Sequence, residues 1–166
     1  MSYGNWLAAP REPRFFNGSR IIFREIIGER FVSTIIEEDF ICDRSLYIAK
    51  PRLSSINVHF TLGILMSKLL IWLFRLEKNE FDSLFPKIRL EEFKKLPIPK
   101  NALDKFGIEF KVNQILSIKQ IDPTANTSTI EKEIDHLVYE LYGLTEEEIR
   151  IVEGNYEDVS VIKKSL

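Results

Sequence analysis

Arg20 and Arg24 stand four residues apart in the run Arg20-Ile21-Ile22-Phe23-Arg24-Glu25-Ile26-Ile27, and that spacing decides what they can do together. Side chains of a strand alternate between faces, so both guanidinium groups point one way with Ile22 and Ile26, while Ile21, Phe23 and Ile27 line the other face. A guanidinium presents a rigid fork of donors that matches a phosphate or the acceptor edge of guanine in the major groove. Arg11, Arg14, Arg30, Arg44, Lys50 and Arg52 lie nearby in the chain, and Ser33, Thr34 and Asp43 are short polar side chains able to read base edges. The chemistry of this set is recognition of a polyanionic duplex. Its candidate DNA-binding residues are Arg20, Arg24, Arg30, Ser33, Thr34, Asp43, Arg44, Lys50 and Arg52. The competing explanation is that arginines at strand edges deter aggregation.

Reactive constellations are sparse. His59 and His136 are the only histidines, without a cysteine partner or metal-ligand spacing, so no metal site is expected. Cys42 is the single cysteine, which excludes an intramolecular disulfide, suits a reducing cytoplasm and reads as a small buried hydrophobe. The glycines are scattered singly, with no phosphate-cradling loop and no Gly-x-Ser-x-Gly elbow. Asp82 followed by Glu92-Phe93-Lys94 loosely matches the Asp…Glu-x-Lys pattern of metal-dependent nucleases, whose carboxylates must converge on one divalent ion. Here Glu91, Glu92, Lys94 and Lys95 read as the solvated face of a short helix with Leu90 and Phe93 turned inward. No catalytic residue is expected, and the chain is not expected to be an enzyme on its own.

The elements that must position the arginines follow from periodicity. Residues 20–27 and 30–36 alternate like strands around Gly28-Glu29, a hairpin, and residues 40–42 and 45–49 add two further short strands. Residues 1–18 form an extended leading segment, with Pro10 and Pro13 opposing helix and Asn17-Gly18 marking a turn. The N-terminus lacks the apolar core of a signal peptide. Residues 59–78 read as one long apolar helix. Its apolar stretch raises the question of a membrane span, but His59, Lys68 and Arg75 favour a helix buried in a soluble core, with no membrane partner. A short helix at 90–95, an extended Leu96-Pro97-Ile98-Pro99 and a helix at 104–119 follow. The chain then spells a helical hairpin. Ser128 and Glu131 form a capping box, and Ile130, Ile134, Leu137, Val138 and Leu141 an apolar stripe. Gly143 stops that helix, Thr145 and Glu148 form the next capping box, and Leu144 and Ile149 a hydrophobic staple.

The fold class is therefore α+β in one domain spanning 1–166: a small antiparallel β-sheet in the N-terminal third (19–52), then a long buried helix and a C-terminal helical hairpin within a mostly helical part (58–154). With 45% hydrophobic and 29% charged residues, the chain has the material for a packed core. The net charge of −2 gives no general affinity for nucleic acid, but its distribution is uneven. Residues 1–105 hold 17 Lys/Arg against 13 Asp/Glu, and residues 106–166 hold 6 against 12. A mildly basic front and an acidic back suit a polyanion on one side only, although chance asymmetry of solvated faces accounts for them equally well.

Three separated pieces, in order, resemble the TaqI-like C-terminal specificity domain, the target-recognition module of adenine-specific DNA methyltransferases and of type II restriction enzymes that fuse methylation and cleavage. They are Ser19 to Glu25 continuing to Ser45-Leu46-Tyr47-Ile48; Leu62-Gly63-Ile64-Leu65-Met66-Ser67-Lys68-Leu69 continuing to Phe93-Lys94-Lys95-Leu96-Pro97-Ile98-Pro99; and the hairpin from Val138 to Glu153. Met66 stands where the family usually has asparagine. The methyltransferase signatures Asn-Pro-Pro-Tyr and Phe-x-Gly-x-Gly do not occur, so the chain resembles the specificity module alone. The resemblance implies double-stranded DNA and a methyltransferase core as partners. It places S-adenosylmethionine, and Mg if the parent cleaves, in the parent enzyme and no cofactor in this chain. No base-contacting residue carries over by motif. The alternative is a protein–protein interaction domain with no direct DNA contact.

Overall fold

The computed structural model describes residues 12–39, 41–42, 45–51, 57–78, 87–99 and 107–154. Alternating apolar side chains between Arg20 and Ala49 build three strands, β1 (Arg20–Arg24), β2 (Ser33–Ile36) and β3 (Leu46–Ala49). Both outer strands pair antiparallel with β1, giving the order β2-β1-β3. The expected alternation holds: Ile21, Phe23 and Ile27 turn into the core. Phe23 stacks on Phe93 with ring centroids 4.5 Å apart, and Phe31 meets Phe74 and Phe93 edge-on, each at 5.5 Å. Ile41 and Cys42 are not in a strand, which removes the expected strand at 40–42 as far as it is described; Phe40 lies outside the described residues.

Among the described residues, six α-helices follow or cover the sheet: α1 (Val58–Met66), α2 (Lys68–Lys78), α3 (Leu90–Phe93), α4 (Ile108–Ile121), α5 (Ser128–Tyr142) and α6 (Glu146–Val152). The single long helix expected from the apolar run is broken at Ser67, and its halves are bent by 61°. Ser67 is extended (φ −69°, ψ 152°) and its hydroxyl donates to Ile64 O at 2.7 Å. The backbone groups freed by the break are satisfied from a distance. Lys68 N–H donates to Asp135 Oδ1 at 2.8 Å, and Met66 O accepts from Arg30 Nη1 at 2.8 Å. Neither half is long and apolar enough to cross a membrane alone.

α1 and α4 pack closely because Gly63 has no side chain. A Cβ there would collide with a methyl of Ile108 and lie 2.9 Å from one of Val112. Gly107, at φ +78°, takes the left-handed turn from which α4 starts, so that helix begins after it rather than at 104; residues 104–106 lie outside the described residues. The final hairpin forms as its residues predict. Gly143 is left-handed at φ +69°. Thr145 and Glu148 make a complete capping box, and Leu144 and Ile149 pack on the core. At the start of α5 the cap is Thr127, not Ser128. The Thr127 hydroxyl donates to Glu131 Oε1 at 2.6 Å, and Ser128 N–H donates to Asn126 Oδ1 at 2.9 Å. Leu90, expected inside, is 41% exposed, and only Phe93 of α3 is buried. Tyr142 donates to Pro97 O at 2.6 Å, which fastens the proline segment to α5.

Candidate nucleic-acid interface

Residues directly opposite one another in antiparallel strands share a face. The pairs Arg20↔Ile36, Ile22↔Thr34, Ile22↔Ile48 and Arg24↔Leu46 therefore define one surface, turned away from the inner face of Ile21 and Phe23. Arg24 and Thr34 are exposed on this outer surface. Arg24 has no side-chain hydrogen bond or ion pair among the described residues. It carries an open fork of donors on the central strand, diagonally across from a small hydroxyl.

The other candidate residues meet different fates, and the expected shared surface is corrected accordingly. Arg20 has the parity of Arg24, yet it is 0% exposed. Its Nη1 donates to Gly18 O at 2.7 Å and its Nη2 to Glu38 O at 2.8 Å. It holds the approach to β1 and the exit of β2 together, with no face left for a duplex. Lys50 likewise serves the backbone, its Nζ donating to Arg14 O at 2.7 Å, Asn17 O at 2.8 Å and Asn17 Oδ1 at 3.0 Å. Arg30 is turned inward and makes a two-pronged pair with Asp135, at 2.8 and 2.5 Å, with Glu131 3.6 Å away. Burial works to lower the Arg30 pKa, but the hydrogen bond and charge of Asp135 outweigh it and raise it. This guanidinium is charged and already matched by a carboxylate, so its fork is not free for phosphate. Ser33 follows Phe31 and Phe23 to the inner side, with its hydroxyl donating to Phe31 O at 3.2 Å, and so does not share a face with Thr34. Asp43, Arg44 and Arg52 lie outside the described residues, as do Arg11 and Asp82.

Two exposed cations that sequence reasoning passed over, Lys87 and Arg89, flank the buried Ile88 on a segment bridged to Ile26 just beyond β1. Their only signal in the chain is the three-residue alternation Lys87-Ile88-Arg89, too short to announce a strand.

Elsewhere the polar groups serve the fold. A cavity of about 490 Å³ lies between β2, α1, α4 and the start of α5. Its wall groups are engaged with their neighbours: Thr127 with Glu131, Lys119 with Ala125 O at 2.6 Å, and Arg30 with Asp135. Of the loose nuclease pattern, Asp82 lies outside the described residues, and Lys94 pairs with Glu91 at 2.6 Å on the solvated side of α3. Cys42 is half-buried rather than buried. Among the described residues, no three His, Cys, Asp or Glu side chains gather as a metal cluster.

Comparison with known proteins places this arrangement in context. The family model described as the TaqI-like C-terminal specificity domain matches residues 2–98, which span the whole sheet, the α1–α2 pair and the Lys87–Arg89 strip. No curated protein matches the chain.

Proposed function

Because the chain belongs to the TaqI-like C-terminal specificity domain family, whose members are specificity domains of restriction-modification enzymes, we propose that it recognises a sequence in double-stranded DNA as the target-recognition module of an adenine-methylating or methylating-and-cleaving enzyme. Arg20 and Ile22 of the outer face are buried, so the part laid against the duplex is its exposed end, at Arg24 and Thr34. The observation that carries this reading is that exposed Arg24 and exposed Thr34 stand diagonally across from one another on neighbouring strands of that face. An unengaged guanidinium fork suits a phosphate or a guanine edge, and a threonine hydroxyl suits either a phosphate or a base edge. This chain contributes no catalytic group. A methyltransferase core, with S-adenosylmethionine and with Mg where the parent cleaves, supplies the chemistry.

A second reading, a protein-binding domain without DNA contact, is favoured by one observation. Phe110 and Ile121 of α4 are 63% and 87% exposed, and their eleven-residue spacing puts them on one side of the helix. On the DNA-recognition reading the same side is where the methyltransferase core docks.

Enrichment from a pool of random-sequence duplexes separates the two. The expected result is one short enriched site, bound less tightly as salt rises. Arg24→Ala weakens that binding, by about 1–3 kcal/mol with relaxed specificity if Arg24 reads a base, or through a salt slope lower by about one if it holds a phosphate. No enrichment together with a flat response to salt supports the protein-binding reading instead.

A further inference from the structure

The strip Lys87-Ile88-Arg89 is fastened to the sheet although it belongs to none of its strands. Ile88 N–H donates to Glu25 O at 2.9 Å, and the Tyr47 hydroxyl donates to Ile88 O at 3.1 Å. Glu25 N–H in turn donates to Ser45 O at 3.0 Å, so the strip takes over on the β3 side where β3 leaves off. Ile88 is 2% exposed and anchors the strip in the core. Lys87 and Arg89, one residue to either side, turn outward. The antiparallel bridge Ile26↔Lys87 puts Lys87 beside Ile26, and the alternation Phe23 (buried), Arg24 (exposed), Ile26 (exposed), Ile27 (buried) puts both on the side of Arg24.

These cations are open to a ligand. Arg89 has no side-chain ion pair or hydrogen bond among the described residues. Lys87 lies 3.7 Å from Glu25, with side chains 61% and 32% exposed, a surface pair of little energetic weight. On α3, Glu91 is paired with Lys94 at 2.6 Å. An anchored backbone presenting Arg89 without a partner among the described residues and Lys87 in a loose surface pair, on the side of the sheet where Arg24 is exposed, is preorganised for a row of anionic groups.

We propose that Lys87 and Arg89 clamp the sugar–phosphate backbone of the bound duplex and set the register in which Arg24 and Thr34 meet it. The inference rests on the DNA-recognition reading above. A lysine is a point charge on a flexible stem, suited to a phosphate rather than to a base edge, and the strip flanks the central strand instead of occupying it.

Binding of the full chain to labelled duplexes of several sequences, followed as a function of salt, tests the clamp. Arg89→Gln is expected to lower the slope of log affinity against log salt by about one, and Lys87→Gln/Arg89→Gln by about two, equally for every sequence. Arg89→Lys is expected to restore the slope, because a phosphate needs the charge and not the fork. Thermal melting should not move, since both side chains are exposed. An unchanged slope in the double variant, beside salt-dependent binding by the unaltered chain, overturns the clamp and leaves the recognition reading standing. A loss confined to one duplex sequence also overturns it, because it marks base reading. Absence of salt-dependent duplex binding by the unaltered chain overturns both.

Discussion

Glu153 and Arg24 illustrate what decides the role of a charged side chain in this molecule. Glu153 ends α6, where it is paired with Lys68 and accepts a hydrogen bond from the Tyr139 hydroxyl at 2.7 Å. Burial works to raise its pKa, but the bonds from Lys68 and Tyr139 prevail and hold it below the ordinary 4.5. A depressed carboxylate stabilises the fold above its unfolded value, and that stabilisation is lost as the pH falls through the folded one. Urea midpoints of the unaltered chain and Glu153→Gln are therefore expected to differ at neutral pH, with the variant weaker. The gap should close below about pH 4.5. A gap that stays constant through the acid range would remove the carboxylate's charge from the account. Arg24 lies at the other extreme, exposed and unengaged. Arg20 and Arg24 are equivalent in strand parity, and no property of either residue separates them. What separates them is that the carbonyls of Gly18 and Glu38 come within reach of one and not the other.

At the scale of elements, the break between α1 and α2 is the feature that most repays attention. Residues 58–76 satisfy every local rule for one continuous helix, and serine is tolerated inside helices. The chain breaks there because Asp135, buried on α5, caps the new N-terminus through Lys68 N–H, while Arg30 takes up the carbonyl of Met66. Removing one partner of a buried ion pair leaves the other unmatched, so Asp135→Ala is expected to cost about 3 kcal/mol in urea unfolding. Chemical denaturation measures it directly. A loss well under 1 kcal/mol would mean that Ser67 alone holds the bend. The C-terminal hairpin behaves oppositely. Its stripe, its left-handed glycine and its Thr145–Glu148 capping box are all local and form where the residues place them, while the cap at its start moves by one residue to Thr127.

For the whole molecule, the contact between Arg30 and Asp135 spans 105 positions of the chain and joins the β1–β2 connection to α5. Sheet and helices are thereby expected to open together. Native-state hydrogen exchange should return the same opening free energy for the amides of Ile21 and Phe23 as for those of Val138 and Tyr139. A sheet that exchanges at markedly lower free energy while α5 stays protected would show the two parts to be independent. The basic front and acidic back are also partly reconciled by this contact, since one front arginine is neutralised by a back carboxylate rather than offered to a ligand. The α+β class, the inward set Ile21, Phe23 and Ile27, the helical hairpin and the family resemblance were determined by the sequence itself, because each depends on residues a few positions apart or on motifs in order. Which arginine meets solvent, where the apolar run bends, and that the Lys87–Arg89 strip is fastened beside the sheet were decided only by tertiary structure. Apart from Gly18 beside Arg20, the partners that settle those questions lie 18 to 67 positions away, and alternation and capping rules do not reach that far.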